Sequence, residues 1–332
     1  MDKIAILTSG GDAPGMNPAI RAATRKAIYE EIEVFGVKRG FSGLIDGDFV
    51  PLERRSVADI VHRGGTMLLS ARCEEFKTDE GMQKALDEMQ KQGIGGIICI
   101  GGDGTMRGVN DIATKLDFPA VGVPASIDND MPGTDYAIGF DTAMNTILDA
   151  VDRIRDTATS HERTFIIETM GRHAGFLTLG AGLAGGAESI LIPEVDFSIE
   201  EVANKVKSGY ERGKLHSIVM VAEGVGENFK TNRDLNQSNA FRLGEAISEK
   251  TGLETRVIIL GHLQRGGKPT ARDRILGSRL GARAVDKLIA GVTNQMVSCQ
   301  NGGLSEIDIP EMLSSSKDIE QDMYDLAQIL SI

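Results

Sequence analysis

The chain has 332 residues, which suggests two domains of about 150 residues each. Its 36 basic and 48 acidic residues give a formal net charge of −12, which argues against nucleic-acid or anionic-membrane partners because both need a cationic surface. The 40 glycines exceed the roughly 23 of an average composition, and neither a collagen period nor a polar low-complexity tract explains them. Loops that bring backbone close to a ligand remain as the explanation.

The cysteines and the N-terminal residues indicate the compartment. Cys73, Cys99 and Cys299 are widely spaced without a CxxC motif, so neither a disulfide framework nor a zinc site is indicated. The opening MDKIAILTSGG lacks the apolar segment of a signal peptide, and no apolar stretch approaches the roughly 18 residues of a membrane span. We therefore expect a cytoplasmic protein.

Short β-branched runs alternate with helical stretches along the chain. The pattern predicts helices at residues 17–30 and 142–156. It predicts strands at residues 4–8, 33–38, 96–100, 120–123, 164–168, 189–192, 217–222 and 256–260. This alternation is typical of an α/β fold with mostly parallel sheets, whose ligands bind beyond the C-terminal ends of the strands.

No proline- or serine-rich linker marks a domain boundary. Residues 124–141, PASIDNDMPGTDYAIGFD, are the best candidate for a crossing between domains. Residues 226–238, GENFKTNRDLNQS, are the most polar segment and are predicted to be an insertion on the surface.

Two GGD segments follow predicted strands. In TSGGDAPGMN, Gly10 and Gly11 leave a strand, Pro14 presets φ for a helix start and Asn17 can cap the helix, an arrangement typical of a phosphate site or of a tight turn. GGDGTMRG, residues 101–108, fits neither the dinucleotide fingerprint nor a P-loop. Its carboxylate, Asp103, suits Mg²⁺ beside phosphate oxygens, or else accepts N–H groups of the turn.

Further motifs carry carboxylates and cations. Asp128 and Asp130 in PASIDNDMPGT follow a predicted strand, where one could lie near a metal and the other accept a proton from a substrate hydroxyl. An isolated DND triplet is more often a solvated turn. Cations also follow or flank strands, and arginine forks suit phosphate oxygens, although an isolated arginine is usually a surface ion pair. These cations are Arg163, Arg172, Arg256, His262 and Arg265.

Together these motifs resemble the phosphofructokinase family, in its bacterial ATP-dependent type, from residue 4 to about residue 309. GGDGT alone is shared with NAD and diacylglycerol kinases, whereas TSGGDAPGMN, SIDND, METMGR and GHLQRGGKPTARDR in this order are specific. The resemblance implies two Rossmann-like three-layer α/β/α domains with the active site in the cleft between them. It assigns residues 1–139 plus about 264–314 to a larger ATP-binding domain, and residues 140–263 plus about 315–332 to a smaller sugar-phosphate domain.

The resemblance also implies the active-site residues. Asp128 would accept the proton of the sugar 1-hydroxyl, Arg172 would stabilise the transferring phosphoryl group, and Asp103 would hold Mg²⁺. The ATP site would comprise Gly11, Arg72, Cys73, Gly102, Asp103, Gly104 and Thr105. The fructose 6-phosphate site would comprise Ser126, Ile127, Asp128, Arg163, Met170, Gly171, Arg172, Glu223, Arg256, His262, Leu263, Gln264 and Arg265. In the family, Arg163 and Arg256 reach a neighbouring subunit's site, which implies a homotetramer.

An effector site for ADP and phosphoenolpyruvate is implied as well. Leu215 stands where a lysine is common, which removes one cation from that site. The effector residues would be Arg21, Arg25, Arg55, Arg155, Gly186, Glu188, Arg212, Lys214 and His216.

The expected reaction is phosphorylation of fructose 6-phosphate by ATP, and three alternatives remain open. A pyrophosphate-dependent enzyme is one, because Ala125 stands where ATP-using members usually have glycine and pyrophosphate-using members lysine. Gly104 favours ATP, since an aspartate there would repel the α-phosphate. The other two are a NAD- or lipid-type kinase built on GGDGT, and a nucleotide sensor without catalysis.

Overall fold

The computed structural model describes residues 1–225 and 238–331, which form two compact units. The first unit comprises Met1–Thr142 and Arg265–Lys317, and the second comprises Ala143–Gln264 and Asp318–Ile332. Of the predicted insertion at residues 226–238, only Ser238 lies within the described residues, so its surface location stays a prediction.

Strands and helices alternate along most of the described chain. The strands are β1 (Lys3–Thr8), β2 (Glu33–Val37), β3 (Phe49–Pro51), β4 (Ile97–Gly101), β5 (Ala120–Pro124), β6 (Thr164–Thr169), β7 (Ser189–Leu191), β8 (Ser217–Ala222), β9 (Thr255–Ile259), β10 (Gln295–Gln300) and β11 (Gly303–Asp308). The helices are α1 (Met16–Tyr29), α2 (Gly40–Asp46), α3 (Asp79–Gln92), α4 (Asp103–Lys115), α5 (Phe140–His161), α6 (Phe176–Ala184), α7 (Ile199–Glu211), α8 (Asn239–Thr251), α9 (Ala271–Ile289), α10 (Ile309–Ser314) and α11 (Gln321–Leu330). Short 3₁₀ helices cover Glu75–Lys77 and Gly261–Arg265.

The first unit is built on a seven-stranded sheet in the order β11-β10-β5-β4-β1-β2-β3. Its central pairs are parallel, and the β2–β3 and β10–β11 pairs at its two edges are antiparallel. β4 and β5 are buried along their whole length, which explains their continuous apolar runs. The parallel order brings the C-terminal ends of β1, β4 and β5 to the same edge of the sheet.

The second unit contains a four-stranded parallel sheet in the order β7-β8-β6-β9. β6 and β8 are fully buried, whereas the edge strand β9 is partly exposed. α7 and α8 supply apolar side chains to its core, among them Val206 and Ile247. The predicted α/β fold with two mostly parallel sheets is thus confirmed.

The element predictions hold closely for the buried strands. Every predicted strand forms with ends within one residue of the expected ones, and the predicted helix at 142–156 is part of the longer α5. The sequence reading missed β3, β10 and β11. β3 has only three residues, and the other two mix polar with apolar residues, so none carries a strong strand signal.

The turn after β1 differs from the expectation at its helix. α1 begins at Met16, two residues beyond Pro14, and Gly15 occupies the N-cap position with φ 120° and no side-chain cap. The prediction that Asn17 caps this helix is therefore wrong. A positive φ at the N-cap favours glycine, whose missing Cβ removes the steric cost.

Asn17 instead holds a distant loop. It is buried in the first turn of α1, and its Nδ2 donates to the carbonyl oxygens of Arg63 and Gly64 at 3.1 and 3.2 Å. Its Oδ1 accepts the backbone N–H of Met67 at 2.8 Å. One amide therefore fixes the loop that leads to Arg72.

A second buried polar side chain joins the starts of α5 and α9. Asp273, in the first turn of α9, accepts the N–H of Gly139 at 2.9 Å and both the N–H and the hydroxyl of Thr142 at 2.8 and 2.5 Å. Its Cβ also lies 3.3 Å from the position that a Cβ on Gly15 would take. Burial raises the pKa of Asp273, and the hydrogen bonds oppose that rise.

We expect Asn17→Ala to destabilise the first unit by about 2 kcal/mol, because it leaves the buried carbonyls and amide of the 63–67 loop unpaired. Thermal unfolding should show a Tm lower by roughly 4–8 °C. Asn204→Ala is the matched control, because Asn204 is an exposed residue of α7. Equal Tm values for the two variants would contradict the role assigned to Asn17.

Candidate functional site

A cavity of about 340 Å³ opens in the first unit where β1, β4 and β5 end. It is lined by every residue predicted for the nucleotide and by three predicted for the sugar phosphate. These residues are Gly11, Arg72, Cys73, Gly102, Asp103, Gly104, Thr105, Ser126, Asp128 and Arg265. Ile127 is not among them, because its side chain is buried in the fold.

The glycines of the GGDGTMRG segment serve two different purposes. A Cβ on Gly101 would overlap Thr105 and the carbonyl of Ser9, and a Cβ on Gly108 would overlap the ring of Phe41. These two glycines are therefore required by packing within the chain.

Gly102 and Gly104 face open space. A Cβ on Gly104 would meet no described atom within 4 Å, and one on Gly102 would meet only ordinary contacts at 3.8 and 3.9 Å. Neither has a positive φ, so the fold does not require glycine at these two positions. Backbone left bare at the start of α4 is instead suited to an anion held by helix N–H groups.

Asp103 and Thr105 differ in what they can offer a ligand. Asp103 is exposed in the first turn of α4, where its carboxylate forms an ion pair with Arg107 at 3.1 Å. Thr105 is buried, and its hydroxyl donates to the carbonyl of Ser9 at 3.2 Å, which ties the two GGD turns together. The carboxylate is therefore accessible to a cation, whereas the hydroxyl is used by the fold.

The DND segment is held by its middle residue. Asn129 is buried with φ 54°, its amide donates to the carbonyl of Asp135 at 3.0 Å, and its side-chain oxygen accepts the N–H of Ala137 at 2.8 Å. Ser126 accepts the N–H of Asp128 at 3.2 Å. Asn129, which the sequence reading did not single out, thereby fixes the loop that presents Asp128 to the cavity.

Arg265 and Gly11 meet across the same cavity. The Arg265 guanidinium lies over Gly11, where a Cβ would overlap it, and donates to the carbonyl of Asp12 at 3.4 Å. Nearby, the Ser70 hydroxyl donates to the carbonyl of Gly10 at 2.5 Å, which fastens the segment carrying Arg72 and Cys73. The wall also includes Lys77 and Glu74, an exposed ion pair that the sequence reading missed.

In the second unit, most predicted sugar residues follow the C-terminal ends of β6, β8 and β9. Gln264 accepts the N–H of Met170 at 3.1 Å, and Gly224 can have no side chain because the carbonyl of Arg172 occupies the space. Glu223 donates its N–H to the carbonyl of Thr169 at 2.9 Å. The residues at this edge are Met170, Gly171, Arg172, Glu223, His262, Leu263 and Gln264.

Arg163 and Arg256 lie at the opposite end of that sheet. Arg163 directly precedes β6, so about 20 Å of strand separates it from the C-terminal edge. Arg256 is the second residue of β9 and lies about 10 Å of strand from that edge. Both form ion pairs with Glu254, at 2.9 Å for Arg163. The sequence reading did not identify Glu254.

The predicted effector residues are divided between the two units. In the second unit, the Arg155 guanidinium contacts the carbonyl of Gly186 at 3.2 Å and the ring of His216 at 3.3 Å, and Lys214 lies 3.8 Å from Glu188. Burial lowers the pKa of His216, Arg155 and Lys214 lower it further, and Glu188 opposes them. Arg212 ends α7 in this unit, whereas Arg21, Arg25 and Arg55 belong to the first unit.

Neither a spanning helix nor a complete protein-only metal cluster occurs in residues 1–225 and 238–331. No helix there is long and apolar enough to cross a membrane. In the same residues, no group of three or more His, Cys, Asp or Glu side chains could hold a metal ion. At the start of α4, Asp103 is the acidic residue of the first turn.

Paired substitutions should separate the two kinds of glycine. Gly101→Ala should destabilise the protein by about 2 kcal/mol, because overlap with Thr105 and Ser9 forces the turns apart. Gly104→Ala should leave the Tm unchanged or raise it, since alanine favours the helix by up to about 1 kcal/mol. Thermal unfolding without ligands measures both, and a lower Tm for Gly104→Ala would contradict the open space assigned to it.

The phosphofructokinase family model matches residues 3–288 of the chain. The chain is 63% identical to the ATP-dependent 6-phosphofructokinase of Halothermothrix orenii and 55% identical to that of Bacillus subtilis, each over the whole of both chains. A phosphofructokinase structure from Saccharomyces cerevisiae superposes with a TM-score of 0.84 at 33% identity, covering 99% of this chain and 47% of that longer one. The resemblance inferred from the motifs is confirmed, and the chain belongs to the phosphofructokinase family.

Proposed function

We propose that the chain transfers the γ-phosphoryl group of ATP to the 1-hydroxyl of fructose 6-phosphate, giving ADP and fructose 1,6-bisphosphate. The observation that carries this proposal is one cavity of the first unit, which joins the bare glycine backbone at the start of α4 to the carboxylates of Asp103 and Asp128. A phosphate cradle and a base for the attacking hydroxyl are two of the parts that recur in enzymes of phosphoryl transfer. The full-length relatives named ATP-dependent 6-phosphofructokinases support the same reaction.

The nucleotide is assigned to the first unit. Gly102 and Gly104 leave backbone open to its phosphates, Gly11 lines the same cavity beside Arg265, and Arg72 supplies a guanidinium there. The Asp103 carboxylate fits Mg²⁺, which prefers one or two carboxylates and takes its remaining ligands from phosphate and water. When bound there, Mg²⁺ would neutralise charge on the β- and γ-phosphates.

Asp128 accepts the proton of the sugar 1-hydroxyl as that oxygen attacks the γ-phosphorus in line. The loop pinned by Asn129 holds this carboxylate at the cavity wall, so little reorganisation is needed for the transfer. Arg172 stabilises the negative charge of the transferring group. ADP leaves with the bridging oxygen, and Asp128 carries the proton.

The sugar phosphate is assigned to residues of both units. Met170, Gly171 and Glu223 bind the sugar, and His262 with Arg265 binds its 6-phosphate, together with Arg163 and Arg256. Because those last two arginines lie at the other end of their own sheet, we assign them to the site of another copy. This assignment requires an oligomer with shared active sites, for which we propose the homotetramer implied by the resemblance.

The effector groups support regulation by anions. The Arg155, Lys214 and His216 cluster of the second unit, with the predicted Arg21, Arg25 and Arg55 of the first, would bind ADP as activator or phosphoenolpyruvate as inhibitor. Both ligands carry phosphate, for which guanidinium groups are suited.

A donor comparison tests the proposed reaction. Purified protein is given fructose 6-phosphate and Mg²⁺ with either ATP or pyrophosphate, and sugar bisphosphate is measured. We expect turnover with ATP at a rate at least 100-fold above that with pyrophosphate, because Gly104 leaves room for the nucleotide and Ala125 adds no cation for pyrophosphate. Faster turnover with pyrophosphate would overturn the assignment of ATP as the phosphoryl donor. ATP binding without sugar turnover would favour the alternative of a nucleotide sensor without catalysis.

Asp128→Asn should lower kcat by about 10²- to 10⁴-fold, the usual contribution of a general base. The KM for fructose 6-phosphate should change little, since the amide occupies the same volume. Asp117→Asn is the control, because Asp117 is exposed with φ 49°, a conformation that asparagine tolerates. Near-normal turnover in Asp128→Asn would show that another group takes the proton.

A further inference from the structure

Three charged side chains form a compact group at the N-terminal edge of the second unit's sheet. Glu254 and Arg256 are two residues apart and therefore on one face of the strand, and Thr164 donates its N–H to the carbonyl of Glu254 at 3.2 Å. Arg163 consequently lies directly across from Glu254. Its Nε contacts Oε2 of Glu254 at 2.9 Å, while Arg256 contacts Oε1 through Nη2.

The carboxylate uses only a small part of each guanidinium. An arginine has five N–H donors, and the contacts to Glu254 engage Nε of Arg163 and Nη2 of Arg256. Within residues 1–225 and 238–331, no ion pair engages the two terminal nitrogens of Arg163 or the Nε and Nη1 of Arg256. The group can thus hold an anion while its internal ion pairs stay intact.

The ion pairs contribute little to the stability of the fold. All three side chains are substantially exposed, between 28% and 53%, and exposed ion pairs typically contribute less than about 1 kcal/mol. Two guanidinium groups this close also repel each other. The carboxylate of Glu254 therefore serves chiefly to hold the two guanidinium groups side by side, because it offsets the repulsion between their like charges.

We propose that Glu254 is a positioning residue that holds Arg163 and Arg256 together as one binding unit for the sugar 6-phosphate. This inference rests on the proposed function, in which the two arginines bind that phosphate. Glu254 touches no substrate in this scheme and acts only through the arginines. Without it, each guanidinium samples its own rotamers and loses that freedom again when the phosphate binds.

Two substitutions of Glu254 test this role against simple repulsion. With saturating ATP, Glu254→Gln and Glu254→Asp should each raise the KM for fructose 6-phosphate about tenfold. Glutamine lacks the negative charge, and aspartate is one methylene too short to contact both arginines. The KM for ATP and the kcat at saturating sugar should stay within about twofold. Glu249→Gln, at an exposed position of α8, is the control for losing one negative charge and should match the wild type.

The arginine dependence is tested in the same assay. If Glu254 acts through Arg163, adding Glu254→Gln to Arg163→Ala should raise the KM by less than half the factor seen in the wild-type background. A lower KM in Glu254→Gln with an unchanged KM in Glu254→Asp would show that the carboxylate only repels the phosphate, and would overturn the inference. The inference would also be overturned if Glu254→Gln raised the KM for fructose 6-phosphate by the same factor in the Arg163→Ala background as in the wild type.

The wild-type measurement separates this inference from the proposed function. Wild-type turnover of fructose 6-phosphate with unchanged KM values in both Glu254 variants would overturn the role of Glu254 alone. Absence of wild-type turnover would overturn the proposed function, and the role of Glu254 with it.

Discussion

The buried carboxylate of Asp273 is the interaction on which the first unit's arrangement depends. It binds N–H groups at the start of α5 from within the first turn of α9, and it packs where Gly15 leaves room before α1. These hydrogen bonds satisfy helix N-terminal donors that have no partner within their own helix. These contacts also position the site. Gly11 belongs to the turn after β1 and Asp128 to the segment before α5, and both residues line the cavity.

Close approach of backbones is the second constraint, and it gives the glycine excess a more specific meaning. Gly101 lets the turns after β1 and β4 touch, and the Thr105 hydroxyl then joins them. Gly104, three residues later, meets no described neighbour and leaves its space to a ligand. Identical residues in one short motif therefore serve the fold in one case and binding in the other.

Sequence reasoning identified the buried strands and the family, and it failed where tertiary contacts decide. An asparagine after a glycine turn indicates a helix cap, but the loop at residues 63–67 uses the Asn17 side chain instead. No local pattern separates Gly101 from Gly104, since the difference lies in what surrounds each Cβ position. Glu254 is one acidic residue among 48 and gains meaning only when β6 and β9 pair beside it.

The location of Arg163 and Arg256, toward the end of their sheet opposite the sugar residues of their own unit, has a genetic consequence under the proposed shared site. A copy that lacks Asp128 would still lend its arginines to a neighbour, and a copy that lacks Arg163 would still offer its own base. Two inactive alleles of these kinds could then complement each other within one oligomer. Conversely, an allele defective in both would impair the normal copies with which it assembles.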